Sequence, residues 1–315
     1  MAWVSAELAW HLCRGKQGVG AGWVSLHATR GRAKKPPMLI ARTREELAQS
    51  LAALRADGAG VALVPTMGAL HDGHLSLVAQ ARAVCGHACA SIFVNPTQFA
   101  PHEDFSRYPR DEAGDLAKLR AAGCDLAWLP GVADIYPAGD ATVIEVTGPA
   151  QGWEGDRRPG HFRGVATVVA KLCGLARPDA AVFGEKDWQQ LQVIRRMVGD
   201  LLLPVRVIGA PVVRESDGLA MSSRNRYLTP GERSIAPVVH ATLAGVRAAL
   251  ARGVAAGDAL ADGEAALAGH GFSVDYLALV DGPTLLETKV VTPAARLIVA
   301  AKLGAVRLLD NIAAT

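Results

Sequence analysis

From about residue 38 onward the chain alternates short apolar runs with longer amphipathic stretches, and this rhythm predicts a parallel sheet wrapped by helices. Thr43 stands where a helix cap belongs, ahead of Leu47, Leu51 and Leu54, with Glu46 at the capping-box position and Asp57-Gly58 closing the helix. Residues 61–64, held between Gly60 and Pro65, have the unbroken apolar character of a strand buried on both faces. Helical spacing follows over 75–84, a second strand over 88–94, a helix over 111–122, a third strand over 125–129, a buried helix over 165–175 and another apolar run over 180–183. This order is that of a doubly wound α/β sheet with right-handed crossovers, whose ligands sit beyond the carboxyl ends of the strands. Polar loops occupy those ends at 65–74, 95–110 and 184–190. Past Pro211 the texture changes to an Ala-rich helical stretch over 232–268, broken at Gly253, then alternating apolar segments at 272–280 and 296–300. The expected organisation is therefore a nucleotide-type α/β domain over 38–211 and a smaller α+β lid domain over 212–315.

Composition narrows the classes of partner. Half the residues are apolar and a fifth charged, the balance of a globular chain, and the formal net charge is only +3. So small an excess gives no reason to expect nucleic acid or an anionic membrane as partner. No apolar run approaching the roughly 20 residues of a bilayer span stands out on reading. Cys13, Cys85, Cys89, Cys124 and Cys173 are odd in number and scattered, which suits small buried thiols in a reducing, cytoplasmic setting better than a zinc site. Residues 1–37, with a basic, proline-ended run at 30–37, read as a poorly ordered extension or a start assigned too early, Met38 being the functional beginning.

Candidate chemistry gathers in five segments. Met67, Gly68, Ala69, Leu70, His71, Asp72, Gly73 and His74 leave a strand and enter a helix, so two imidazoles and a helix N-terminus face one place. Such an end attracts phosphate, and the glycines allow close backbone approach. Asn95 and Gln98 follow the next strand, neutral amides suited to hydroxyls and a carboxylate, although alone they would read as a polar turn. The run Trp153 to Val165 carries Glu154 and Arg158 among several charges, which taken alone would read as exposed ion pairs of little energetic weight. In Gly184, Glu185, Lys186 and Asp187 a compact cation suits phosphate, and the Asp187 carboxylate suits the magnesium that travels with ATP. Met221, Ser222, Ser223 and Arg224 offer two hydroxyls and a cation to a departing pyrophosphate, while out of context they form an ordinary loop.

The His-x-Gly-His turn resembles the signature of the adenylate-forming nucleotidyltransferases. The run Phe93 to Phe99, with Glu103, Asp104, Tyr108 and Arg110 after it, resembles the pantothenate synthetase family in residues and order. Similarity to that family extends from Met38 nearly to the C-terminus, through Val274-Asp275-Tyr276 and the run Arg307 to Asn311. The resemblance implies a Rossmann-like fold and the ATP-dependent joining of pantoate to β-alanine through an acyl adenylate. It assigns pantoate to Gln98 and Gln190, β-alanine to Gln98, Asn95, Tyr108, Glu154 and Arg158, and adenine to Val213. The catalytic charge goes to His71, His74, Lys186, Ser222, Ser223 and Arg224, with His74 in the family's proton-donor role. It also implies a homodimer. Two other readings stay open on the histidine turn alone: a nucleotidyltransferase without an amine site, and a non-catalytic nucleotide-binding regulator. A tRNA-binding synthetase relative is opposed by the small charge and the lack of an anticodon-binding domain.

Overall fold

In the computed structural model, residues 37–99 and 105–315 are described. The readings of residues 1–36, Cys13 among them, and of Glu103 and Asp104 lie outside the described residues. The first sheet contains β1 (Leu39–Ala41), β2 (Gly60–Thr66), β3 (Gly86–Ile92), β4 (Leu126–Trp128), β5 (Ala180–Gly184) and β6 (Arg206–Ala210). All pairings are parallel, in the order β1-β4-β3-β2-β5-β6. Around it lie α1 (Arg44–Arg55), α2 (Asp72–Cys85), α3 (Glu112–Ala121), α4 (Val132–Ile135), α5 (Trp153–Arg157), α6 (His161–Ala176) and α7 (Trp188–Asp200). Strand pleating sorts alternate residues to opposite faces. Val61 and Leu63 of β2, Leu126 and Trp128 of β4, and Ala181 and Phe183 of β5 pack with α1, α6 and α7. Their neighbours Ala62, Val64, Ala127, Ala180 and Val182 pack with α2 and α3. The doubly wound α/β expectation is met.

Two short edge strands, β1 and β6, escape the apolar pattern, whereas α7, which the sequence reading does not assign, buries Leu191, Ile194, Met197 and Val198 at helical spacing. Thr43 caps α1 as expected: its hydroxyl accepts the Glu46 N–H at 3.1 Å while the Glu46 carboxylate accepts the Thr43 N–H at 3.3 Å. Chain order reverses between neighbouring strands β2 and β5, which opens a crevice at their carboxyl ends.

Beyond β6 come α8 (Pro230–Ile235), α9 (Val238–Ala251), α10 (Ala256–Gly269) and an antiparallel sheet β7 (Ser273–Asp281), β8 (Ala295–Leu303), β9 (Val306–Ala313). The Ala-rich stretch is thus three helices. One face of this sheet forms a separate core with α9 and α10 through Leu243, Leu267, Leu297 and Val299. The other meets Trp153 and Trp188, whose indole N–H groups donate to the Leu285 and Gly282 carbonyls at 2.9 and 2.8 Å. Residues 37–315 form one compact unit. One reading is corrected here: Pro230–Ala251 has the length and apolar composition of a bilayer span. In the fold Ala236, Val239, Leu243 and Val246 of this stretch pack on the small sheet, Ala241, Ala248 and Ala251 stay exposed, and Glu232 and Arg233 stand near its start.

The loop between β2 and α2 is shaped by a residue far along the chain. Asp115 of α3, 1 % exposed, accepts the N–H groups of Ala69 and Leu70 through its two carboxylate oxygens at 2.8 Å each. Lys118, one turn on, donates to the Leu70 carbonyl at 2.7 Å. Ala69 sits at φ 52°, and at Gly68 (φ 83°) a Cβ would lie 3.0 Å from the Asp115 carboxylate. An unpaired buried donor costs about 1–3 kcal/mol, so Asp115→Ala should lower unfolding free energy by about 2–4 kcal/mol in denaturant titration. A change below about 1 kcal/mol would show that the loop holds itself.

Candidate active site

Three loops from separate parts of the chain open on one cavity of about 290 Å³ at the carboxyl ends of β2, β3 and β5. From the β2–α2 loop come Met67, His71, Gly73 and His74; from the β5–α7 turn, Gly184, Lys186, Asp187 and Gln190; from beyond β6, Val213, Met221, Ser222, Ser223 and Arg224. Asn95, Gln98, Tyr108, Glu154 and Arg158 line the same space. Gly68, Ala69, Leu70, Asp72 and Glu185 do not line it. The N–H groups of Ala69 and Leu70 are taken up by Asp115, and the Glu185 carboxylate is held by Arg296 at 2.9 Å. At Gly73, which lines the cavity, a Cβ would fall 2.9 Å from the His71 ring, so its bareness also admits the imidazole.

The two histidines stack at 4.2 Å between ring centroids. Burial, with Lys186 next in weight, pulls His71 down to about 4; burial, with His71 next, pulls His74 down to about 3. Both rings are neutral at physiological pH. His74 Nδ1 accepts the His71 backbone N–H at 3.4 Å, so its single proton resides on Nε2, as a donor. Positive charge in the cavity therefore comes from lysine and arginine. Lys186 Nζ stands 3.8 Å from the Asp187 carboxylate. Desolvation raises the Asp187 carboxyl, but Lys186 and Arg224 outweigh it and hold the group below its usual range, ionised.

On the opposite wall, Asn95 is 1 % exposed and engaged inside the protein. Its amide donates to Gln98 Oε1 and the Gly164 carbonyl at 3.2 Å each, and its oxygen accepts the Tyr136 hydroxyl at 2.8 Å. Asn95 thereby fixes Gln98, whose own amide N–H donates to Met67 Sδ at 2.9 Å. Helix α6 presses on the same turn: a Cβ on Gly164 would lie 2.3 Å from the Thr97 carbonyl oxygen and 2.8 Å from Gln98 Cα. His161 Nδ1 donates to the Gln98 carbonyl at 3.0 Å, which leaves Nε2 to accept from Arg158 at 3.1 Å. Tyr108 packs edge-on against Phe99 at 5.9 Å.

Glu154 and Arg158 do not form the exposed pair that their spacing alone allowed. Glu154, 8 % exposed, is gripped by both terminal nitrogens of Arg307 at 2.6 and 2.7 Å and by the Tyr276 hydroxyl at 2.9 Å. Arg307 also binds Asp275 through Nε at 2.6 Å. Further along β9, Asp310 takes Arg214 in a two-point pair at 2.6 and 2.9 Å, below the 213–224 loop. Reading by segment missed Asp115, His161, Arg214, Arg296 and Arg307 as parts of the site, because each acts on a partner distant in sequence. Among the described residues no cluster of three or more His, Cys, Asp or Glu could hold a metal on its own.

Neutral histidines have a measurable consequence. In a proton NMR titration neither His71 nor His74 should gain a proton between pH 8 and 5, His71 titrating near 4 and His74 near 3. Their folded values lie below the free value of about 6.5, so their contribution to stability is complete above that pH and is lost as pH falls through it, the unfolded chain binding protons the folded one refuses. A midpoint above pH 6 for either ring would contradict the burial argument.

Comparison with known proteins identifies the family. The pantoate–β-alanine ligase family model matches residues 39–313. A pantothenate synthetase of Acidiphilium cryptum is 59 % identical over 277 residues, 88 % of this chain and 100 % of that protein. One from Granulibacter bethesdensis is 57 % identical, covering 87 % of this chain and 96 % of its own. The crystal structure of pantothenate synthetase from Thermus thermophilus superposes with a TM-score of 0.82 at 50 % identity, covering 88 % of this chain and 99 % of that one. A pantoate–β-alanine ligase from Francisella tularensis, in complex with β,γ-ATP and β-alanine, superposes at 0.74 with 32 % identity, over 88 % and 98 % of the two chains. With the family model matching residues 39–313 and this extent of identity, the chain belongs to the pantoate–β-alanine ligase family.

Proposed function

We propose that the chain joins pantoate to β-alanine, driven by ATP, in two steps within the single cavity described above. The observation that carries this reading is the convergence of the His71/His74 turn, the Lys186 loop and the Ser222–Arg224 loop on one space that also contains Glu154 and Arg158. In the first step a carboxylate oxygen of pantoate attacks the α-phosphorus of ATP and pyrophosphate leaves in line. Gln98 and Gln190 hold pantoate. Lys186 and Arg224 neutralise the phosphates, with N–H and O–H donors from His71, His74, Ser222 and Ser223. A neutral His74 acts here as a hydrogen-bond donor through Nε2 and adds no charge of its own. Neither oxygen exchanged in this step needs a proton at neutral pH.

In the second step the amine of β-alanine attacks the acyl carbon of pantoyl adenylate; the C–O bond to AMP breaks, an amide forms and the ammonium proton departs. Arg158 suits the carboxylate of β-alanine and Glu154 its ammonium. Asn95 and Tyr108 shape that side of the pocket, Asn95 through Gln98. Val213 borders the adenine. Magnesium enters with ATP as part of the substrate. Asp187, ionised and 48 % exposed, would be the protein group to hold that ion, which would help neutralise the phosphates. A cytoplasmic setting is consistent with the free thiols of Cys85, Cys89, Cys124 and Cys173. Assembly as a homodimer, and a division into domains at residue 211, belong to the same reading.

With pantoate and magnesium but no β-alanine, the protein should exchange labelled pyrophosphate into ATP. Lys186→Ala and His74→Ala should each slow that exchange by about 100-fold or more while keeping the fold. Exchange at the normal rate in both variants would remove these side chains from the mechanism. Gly164→Ala has a more selective effect. It drives the Gln98 turn away from α6, so the pantoate KM should rise about tenfold with the ATP KM nearly unchanged, a misplacement cost of the expected size. Equal change in both KM values would place Gln98 away from the acid.

A further inference from the structure

The face of β9 that lines the cavity does more than close it. Asn311, 2 % exposed, sends both amide hydrogens across to the first domain, donating to the Glu185 carbonyl at 2.9 Å and the Lys186 carbonyl at 2.8 Å. Its Oδ1 accepts Arg296 Nε at 2.6 Å, which fixes the amide orientation. Arg296 in turn pairs with the Glu185 carboxylate at 2.9 Å and lies 3.5 Å over the Trp188 ring. The turn that carries Lys186 is a single 3₁₀ segment, Glu185–Asp187, with no side-chain cap at its start. A short segment of this kind has few hydrogen bonds of its own. Its backbone is anchored from outside, by an amide 125 residues away in sequence.

We propose that Asn311 is a positioning residue for adenylation: its amide holds the backbone of the Glu185–Asp187 turn so that the Lys186 ammonium meets the phosphates of ATP. This rests on the ligase reading above and deepens it. Asn311 has no donor left for substrate, since both are engaged by the two carbonyls, and so it acts through Lys186. A lysine is a flexible four-carbon stem; fixing its backbone removes motion that the side chain cannot remove alone. Because Asn311 stands on β9, correct placement of Lys186 requires the small sheet to be docked against the turn. The phosphate site is then complete only in that arrangement.

Asn311→Asp separates the donor role from packing, because it preserves shape and the acceptor for Arg296 while placing oxygen against the two carbonyls. Expected is a loss of about 10- to 100-fold in the rate of pyrophosphate exchange with the pantoate KM little changed, the scale of a misplacement near 1 Å. In a Lys186→Ala background the same substitution should change the rate less than about threefold, since groups acting as one unit are not additive. Asn311→Ser, too short to span both carbonyls, repeats the test if Asn311→Asp does not fold. Full, independent losses in both backgrounds, or a folded variant with normal exchange, would overturn the proposal. Wild-type protein without any exchange would instead overturn the ligase reading itself.

Discussion

A triphosphate brings several negative charges into a small volume, and the groups that meet it must be in place beforehand if they are to favour the transition state over the ground state. Every main feature of this fold can be understood as a way of fixing such groups. Reversal of strand order between β2 and β5 leaves a crevice at two strand ends. The loops leaving those ends then carry the histidine pair and Lys186 to its rim. Asp115 ties down the first through two backbone N–H groups, and Asn311 ties down the second through two carbonyls. The two anchors are complementary: a carboxylate takes donors, an amide supplies them.

Charge in the cavity follows the same logic. The histidines are neutral because they are buried and stand beside each other and beside Lys186. Positive charge is left to the lysine and arginine side chains. The Glu154 carboxylate, deep in the wall, is balanced by Arg307 and hydrogen-bonded by Tyr276, as a buried charge requires. Arg307 and Asn311 stand four residues apart on β9 and so share a face of the strand. One strand thus holds Glu154 with Arg307 and the Glu185–Asp187 turn with Asn311.

Much of this was legible in the sequence, and the reasons differ by element. Strands β2, β3 and β5 announced themselves because a strand buried on both faces is apolar at every position. Strand β1, three residues at an edge, carries too little pattern to stand out. The site segments were legible because reactive residue types followed strand ends in the right order. What could not be seen were the long-range partners. Nothing near Asp115 says that its carboxylate faces residues 69 and 70, and nothing near Glu154 points to Arg307. For the same reason the sequence does not show that the bareness of Gly73 also makes room for His71. The apolar length of Pro230–Ala251 does not stand out because Glu232, Arg233, His240 and Arg247 interrupt it.

The central claim is that the carboxylate of pantoate attacks the α-phosphorus of ATP and leaves later with AMP. Transfer of heavy oxygen from labelled pantoate tests it directly, by mass analysis of the products after complete turnover with ATP, magnesium and β-alanine. The account predicts one labelled oxygen in the phosphate of AMP, the other in the amide of pantothenate, and none in pyrophosphate. Label in pyrophosphate, or AMP free of label, would contradict it.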